Sequence, residues 1–254
     1  MSPIAFSLIA FAIMFGGALL GMFLRPLLAE NHLNADSRDV MKLGTGMIAT
    51  LAALVLSLLI ASAKGNFDTM RSGLNKAALE MVLLDRTMAR YGLETREARE
   101  ILRRDVITTI ERLWPAEKSR IALENVGQGK RVIEDLEEQL QQLSPRNDDQ
   151  RRLQLRALQI LGEINETRLL LIQQVGQRSF PIPVFVLFVS WLTIIFTNFG
   201  LLTTRNTTVM AVLFVCALVA ASSLFLILEL DQPFGGLIKI SSAPLLNALS
   251  HLGQ

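Results

Sequence analysis

The chain has 254 residues, of which 51% are hydrophobic, and its 25 Lys and Arg nearly balance its 23 Asp and Glu. The two signs of charge are interleaved rather than clustered with aromatic residues, which argues against a nucleic-acid-binding protein. The single cysteine, Cys216, excludes an intrachain disulfide and a structural cysteine zinc site.

Long apolar segments are the main feature of the sequence. None of them contains Lys, Arg, Asp or Glu, and each can form a helix that crosses a hydrocarbon core of ~30 Å at 1.5 Å per residue. The segments are Ile4–Leu24, Leu43–Ala63, Pro183–Thr203 and Val209–Leu228. They predict an all-α integral membrane protein with four transmembrane helices. The first segment is interpreted as a retained helix, because it lacks the charged leader and short apolar core of a signal peptide.

The charged residues are segregated between the second and third apolar segments. Between Lys64 and Pro183 lie 20 of the 25 basic and 18 of the 23 acidic residues. The sequence therefore predicts a transmembrane hairpin (1–64), a cytosolic helical region (65–182), a second hairpin (183–229) and a cytosolic tail (230–254). Near the span ends, six basic residues lie on the side of the termini and the charged region, against four on the other. This excess favours cytoplasmic termini and a cytoplasmic charged region.

Capping and periodicity predict where the first helices pack and end. Gly17 and Gly21 form a small-xxx-small pair, which allows another helix of the same subunit or of a neighbour to approach closely. Ser37 is the predicted N-cap of the second membrane helix. That helix is expected to continue past Lys64 into the charged region and to stop at Gly92.

The charged region is expected to be a bundle of helices with narrow apolar stripes. One predicted helix covers Thr95–Trp114 and a second covers Arg131–Leu143. A third is expected to start with Ser144 as N-cap and Pro145 in the first turn, and to end near Gly176.

The second membrane helix carries the best candidate for a functional site. Small and weakly polar residues recur on one of its faces at intervals of three and four: Gly46, Thr50, Ala53, Ser57, Ala61 and Lys64. Such a stripe can line a water-filled pathway, where hydroxyl oxygens replace part of an ion's hydration shell. It is also typical of a close helix–helix contact, with the hydroxyls bonded to a neighbouring backbone. Periodicity leaves both interpretations open.

Three polar residues near membrane boundaries are further candidates. Asn198 lies about five residues from the end of the third segment, so an interfacial hydrogen bond is the simplest interpretation. Glu229 and Asp231 precede a Pro/Gly turn and could bind a cation or a basic neighbour, or simply belong to a turn that folds the tail back. Two carboxylates are too few for a calcium cage. No metal site, cofactor or enzymatic activity is predicted, because no catalytic or phosphate-binding motif occurs.

Several short motifs together resemble a bacterial family of membrane proteins labelled bestrophin-like. The resemblance covers nearly the whole chain and implies an inner-membrane protein. The motifs are Asp36-Ser37-Arg38-Asp39-Val40, the run from Gly46 to Leu56, Ala63-Lys64, Phe67-Asp68, Leu84-Asp85-Arg86, Ala89-Arg90-Tyr91-Gly92, Trp114-Pro115, and Leu226 to Asp231 with Pro233-Phe234.

A more distant resemblance connects the chain to the bestrophin channels, which are pentameric ion channels with two membrane hairpins around a helical cytosolic region. Pro233-Phe234-Gly235 is similar to their Pro-Phe-Gly segment after the last membrane helix. By this resemblance the protein would be a homo-oligomer, a pentamer, with its second membrane helix lining the pore. The acidic run that follows Pro-Phe-Gly in calcium-gated bestrophins is absent, and so is the aromatic constriction of animal bestrophins. The resemblance therefore implies neither calcium gating nor a particular ion selectivity.

Two hypotheses follow. The first is a homo-oligomeric channel or pore for inorganic ions in the lipid bilayer, with bestrophin-like topology and the Gly46–Lys64 stripe on the pathway. The second is a non-conducting membrane scaffold or sensor whose charged helices bind a cytosolic partner. A channel of this size must assemble into a ring, because four thin helices cannot enclose a pore alone, whereas a scaffold need not.

Overall fold

The computed structural model describes residues 2–27, 35–114, 126–176, 182–203 and 206–253. These residues form helices joined by turns, which confirms the all-α fold class. The α-helices are α1 (Pro3–Leu24), α2 (Ala35–Tyr91), α3 (Arg96–Leu113), α4 (Val126–Gln142), α5 (Asp148–Gly176), α6 (Ile182–Leu202), α7 (Thr207–Leu230) and α8 (Ala243–His251). Short 3₁₀ turns follow α1 (Arg25–Leu27) and precede α3 (Leu93–Thr95).

Four of these helices, α1, α2, α6 and α7, are long and apolar enough to cross a membrane. α2 is by far the longest, with 57 residues, because its apolar first half continues without a break into a charged second half. It ends at Tyr91, where Gly92 adopts a φ of 139°. That left-handed value strongly favours glycine. The predicted continuation past Lys64 and the predicted stop at Gly92 are thus confirmed.

The chain divides into two compact units, of which the first comprises residues 1–67 and 178–238. Within it, α1 packs against α6 and α7. At Gly21, an added Cβ would run into the backbone of Thr197 and Leu201 on α6. At Gly17, an added Cβ would crowd the side chains of Thr193 and Thr197 on the same helix. The small-xxx-small pair of α1 therefore serves packing within the subunit. Buried side chains around this contact include Met14, Phe188, Leu224 and Ile227.

The second unit comprises residues 68–177 and 239–254, and two of its buried carboxylates form ion pairs between different helices. Asp85 on α2 accepts two hydrogen bonds from the Arg99 guanidinium on α3, at 2.7 and 2.9 Å. Asp105 on α3 lies 3.5 Å from Arg168 on α5. Burial raises the pKa of the Asp105 carboxyl, although Arg168 acts in the opposite direction. These pairs tie α2, α3 and α5 together around an apolar interior.

The C-terminal tail forms an additional helix in the second unit, which the sequence did not predict. α8 packs against α3 and buries Leu245 and Ala248. Its flanks are held by polar contacts: Trp114 Nε1 donates to the Ile240 carbonyl at 2.8 Å. Gly253 N donates to Asp85 at 3.3 Å.

Three predicted helix starts are wrong. Ser37 lies inside α2, which already begins at Ala35, so it is not the N-cap. α4 begins at Val126, five residues before the predicted Arg131. α5 begins at Asp148 rather than after Ser144, because the Asn147 side chain accepts a hydrogen bond from Gln150 N at 2.7 Å and caps the helix there.

Candidate pore-lining face

The predicted small-residue stripe of α2 is exposed along its whole length. The structure places all six residues on the surface of the subunit: Gly46, Thr50, Ala53, Ser57, Ala61 and Lys64. The opposite side of the same helix is buried in the first unit, with Thr45, Ala52 and Leu59 at 3, 3 and 5% exposure and Ala63 at 0%. α2 therefore has one face fixed by its own subunit and another that no described residue of the subunit covers.

Among the described residues, the two hydroxyls of this face form hydrogen bonds within α2. Thr50 Oγ1 donates to the Gly46 carbonyl at 2.9 Å, and Ser57 Oγ donates to the Ala53 carbonyl at 2.8 Å. A hydroxyl that donates to its own helix keeps acceptor lone pairs on its oxygen. Thr50 and Ser57 can thus present oxygen atoms to water or to an ion outside the subunit.

A ridge of large apolar side chains flanks the stripe on α2. Leu43, Met47, Leu54 and Leu58 are between 63 and 71% exposed. The exposed side of α2 therefore combines a smooth, weakly polar strip with a bulky apolar one. The ridge is suited to contact with lipid or with another protein chain, while the strip offers little side-chain bulk for such a contact.

Asn198 connects two helices of the first unit. Its Nδ2 on α6 donates to Thr45 Oγ1 on α2 at 3.0 Å. Thr45 in turn donates to the Met41 carbonyl at 2.7 Å. Thr45 is 3% exposed, so this chain of hydrogen bonds satisfies a buried hydroxyl and fixes α2 against α6. The sequence did not single out Thr45, since its burial depends on which side of α2 meets the subunit.

Glu229 organises the turn after α7. The residue is 2% exposed, and its carboxylate accepts hydrogen bonds from Leu237 N and, at 3.2 Å, from Ile238 N. Gly236, with a φ of 78°, brings the backbone against this carboxylate. Asp231 is the C-cap of α7 and is half-buried. One oxygen of the buried Glu229 carboxylate, Oε1, is thus engaged by two backbone donors of the turn.

The second unit contains a groove that the sequence did not reveal. It has a volume of about 450 Å³ and lies between α2 and α5. Asp68, Ser72 and Lys76 line one side, and Thr167 and Gln174 line the other. Within the described part of the chain, no three His, Cys, Asp or Glu residues come together as a metal site.

The four membrane-capable helices and the helical second unit define the chain as a membrane protein. Comparison with solved structures identifies the fold. A bacterial bestrophin homologue from Klebsiella pneumoniae, solved with a single substitution, aligns with a TM-score of 0.65 and 12% identity over 98% of this chain and 99% of the other. A second variant of a bestrophin homologue from the same organism gives 0.62 and 14% over 96% and 97%. A substituted membrane protein aligns with 0.66 and 12% over 97% of each chain.

The chain belongs to the Bestrophin-like family, because the sequence model of the Bestrophin-like domain matches residues 12–245. This match confirms the resemblance found in the short motifs. No curated protein sequence matches the chain.

Proposed function

We propose that the protein is a homo-oligomeric ion channel in which the Gly46–Lys64 face of α2 lines the pathway. The observation that carries the proposal is the division of α2 into a buried side and an exposed small-residue side. Membership of the Bestrophin-like family and the shared fold support a channel-like function rather than an enzymatic one.

The pathway needs several subunits, because the Gly46–Lys64 face lies on the surface of a single subunit and does not enclose a pore there. In a closed ring the exposed small residues of α2 would face the axis and leave room for a hydrated ion. Hydroxyl oxygens from Thr50 and Ser57 would then repeat around the ring and replace part of the hydration shell. The resemblance to bestrophins favours five subunits.

The location we propose is the bacterial inner membrane, with both termini and the second unit in the cytoplasm. The excess of basic residues near the span ends on that side supports this orientation. The partners of the protein are then the bilayer lipids, its own copies and inorganic ions, with no bound cofactor.

The direct test combines conductance with the accessibility of single cysteines. Cys216 is exposed and is first replaced by alanine. In that background, Ser57→Cys channels in planar bilayers should lose most of their current when a charged thiol reagent is added. The matched control is Val219→Cys on α7, because Val219 is 60% exposed and lies on a different membrane helix. Its modification should leave the current unchanged.

The alternative, a non-conducting scaffold or sensor, predicts a different outcome. Purified protein in liposomes would then pass no ions under any voltage or salt gradient. A monomer, or a ring whose axis is filled by side chains, would point the same way. Either result would contradict the channel and direct attention to the charged helices of the second unit as a binding surface.

A further inference from the structure

The second unit exposes large apolar residues on several of its helices, including α5 and α3 with the turn before it. Leu155 and Leu169 on α5 are 62 and 55% exposed, and Leu93 and Ile107 at α3 are 88 and 36% exposed. This unit carries most of the charge of the chain, so lipid tails are not available to cover these side chains. Exposed apolar residues in regular spacing on a solvated helix indicate a protein contact.

On α5 the exposed residues follow a heptad. Leu155, Gly162 and Leu169 are spaced seven residues apart, and Glu166 lies on the same outer face; these four residues are called the α5 ridge. All four are exposed, whereas Ile160 and Ile164 on the opposite side of the helix are buried. A Cβ built on Gly162 would meet no atom within 4 Å. Glycine in the middle of a helix is unfavourable, and no contact in the described part of the subunit accounts for Gly162.

On α3 an equivalent set of residues is exposed. The α3 ridge consists of Glu100, Arg104 and Ile107 on α3 and of Leu93 in the 3₁₀ turn before it; Ala98 and Leu102 on the opposite side of α3 are buried. Arg104 and Glu100 pair along the helix at 3.4 Å, and both remain accessible, with side-chain exposures of 72 and 48%.

α3 and α5 run parallel inside the unit. α3 runs antiparallel to α2, because only the short turn Leu93–Thr95 separates them. α5 also runs antiparallel to α2, since Leu171 lies against Gly73 while Thr167 bonds Glu80 further along α2. The ion pair between Asp105 and Arg168 fixes the position of α3 relative to α5 along the direction of the helix axes.

This relative position places the residues of the α3 ridge and of the α5 ridge at matching heights along the two helices. With Arg168 beside Asp105, Leu169 lies within about one residue of the height of Ile107, and Glu166 lies within about one residue of the height of Arg104, or ~1.5 Å along the helix axis. Two turns towards the N-terminus, Gly162 lies near the height of Glu100. Two turns further, Leu155 lies near the height of Leu93, which belongs to the 3₁₀ turn before α3. Each apolar residue of one ridge thus has an apolar residue of the other at its height, and the acid of α5 has the base of α3.

We propose that the α5 ridge of one copy packs against the α3 ridge of the next copy in the ring. The partner is a second copy of this chain, and the inference rests on the oligomer of the proposed function. In a ring whose axis runs along the bundle, all copies lie at the same height, so the register within one copy is also the register between copies. The contact is head-to-tail, because each copy contributes a different ridge to its two neighbours.

The test is cysteine cross-linking of the full chain in nanodiscs, with Cys216 replaced by alanine. Leu93→Cys together with Leu155→Cys should give a ladder of disulfide-linked oligomers on oxidation, whereas either substitution alone should give none. The control pairs Leu93→Cys with Gln141→Cys, on the outer face of α4, and should give no ladder. Cross-linking by a single cysteine would show a two-fold contact and overturn the proposal.

A charge exchange provides a second measurement that does not depend on disulfide geometry. Glu166→Arg and Arg104→Glu should each shift the protein to smaller species in native mass spectrometry, and the double variant should restore the wild-type species. Full-size rings in both single variants would contradict the interface. A ladder without conductance would overturn the channel but not the interface, and conductance without a ladder would overturn the interface alone.

Discussion

At the scale of single residues, two glycines of α1 differ in whether a neighbouring helix requires them. Gly21 meets the backbone of α6, whereas Gly16 has no atom within 4 Å of a built Cβ. Gly21→Ala should therefore destabilise the protein by about 1–3 kcal/mol through overpacking. Gly16→Ala should be neutral or slightly stabilising, because alanine is the better helix former. Thermal unfolding in detergent measures both; equal effects would contradict the close approach of α1 and α6.

The buried carboxyl of Asp105 predicts a pH dependence of stability. Its pKa is raised by burial, so the native state binds a proton more tightly than the unfolded state does. Its contribution to stability is present at low pH and is lost as the pH rises from about 3.9, the ordinary pKa of Asp, through the raised native value. Asp105→Asn should therefore raise the Tm at neutral pH, and this gain should shrink on acidification. Unfolding followed by fluorescence between pH 4 and 8 checks the trend.

An Asp105→Asn variant that is less stable than wild type at neutral pH would show that the ion pair with Arg168 outweighs the cost of burying the carboxylate. Asp135→Asn, on the exposed face of α4, is a suitable control because it removes the same charge without a buried site.

At the scale of helices, the contact between α2 and α6 depends on one hydrogen bond. Asn198→Leu and Thr45→Val each remove a partner of the 3.0 Å bond, and the double variant removes both. A double-mutant cycle should give a coupling free energy of about 0.6 kcal/mol, and at most about 2 kcal/mol, as is usual for hydrogen bonds between membrane helices. Unfolding in mixed micelles measures the four stabilities, and zero coupling would mean that the bond contributes nothing.

Helix positions are largely predictable from the sequence, whereas several helix starts are not. The four apolar segments and the extension of α2 to Gly92 follow from hydropathy and from a glycine whose conformation other residues avoid. The start of α5 was misplaced because Ser144-Pro145 and Asn147 both offer a legitimate cap, and the choice depends on how Gln150 bonds back to Arg146 N. α8 was missed because nine residues give too little periodicity.

The residues of the candidate site are predictable from the sequence, but their exposure is not. Spacing alone identified the stripe from Gly46 to Lys64, yet its exposure depends on which side of α2 the subunit covers. The burial of Asp85 and Asp105 likewise depends on tertiary packing. In the sequence they are two of many interleaved charges, and only tertiary packing separates them from solvated ones.

At the scale of the whole molecule, Gly162 links stability to assembly. Gly162→Leu should stabilise the isolated subunit by about 0.5–1 kcal/mol, since it removes a helix-breaking residue from an exposed face. The same change should reduce the fraction of full-size rings, because the leucine would occupy the space of the neighbouring ridge. Asp135→Leu on α4 is the control and should leave assembly unchanged. The Tm of dissociated subunits and the native mass spectrum measure the two effects, and intact rings would argue against a neighbour at Gly162.

The difference between the two ridges also has a genetic consequence. A subunit with a damaged α3 ridge still carries an intact α5 ridge, so it can join a growing ring at one end and prevent closure. Such an allele would be dominant over the wild type when both are expressed in one cell. A subunit with both ridges damaged cannot join at all and would be recessive. The more severely altered protein would thus produce the milder phenotype in a mixed population.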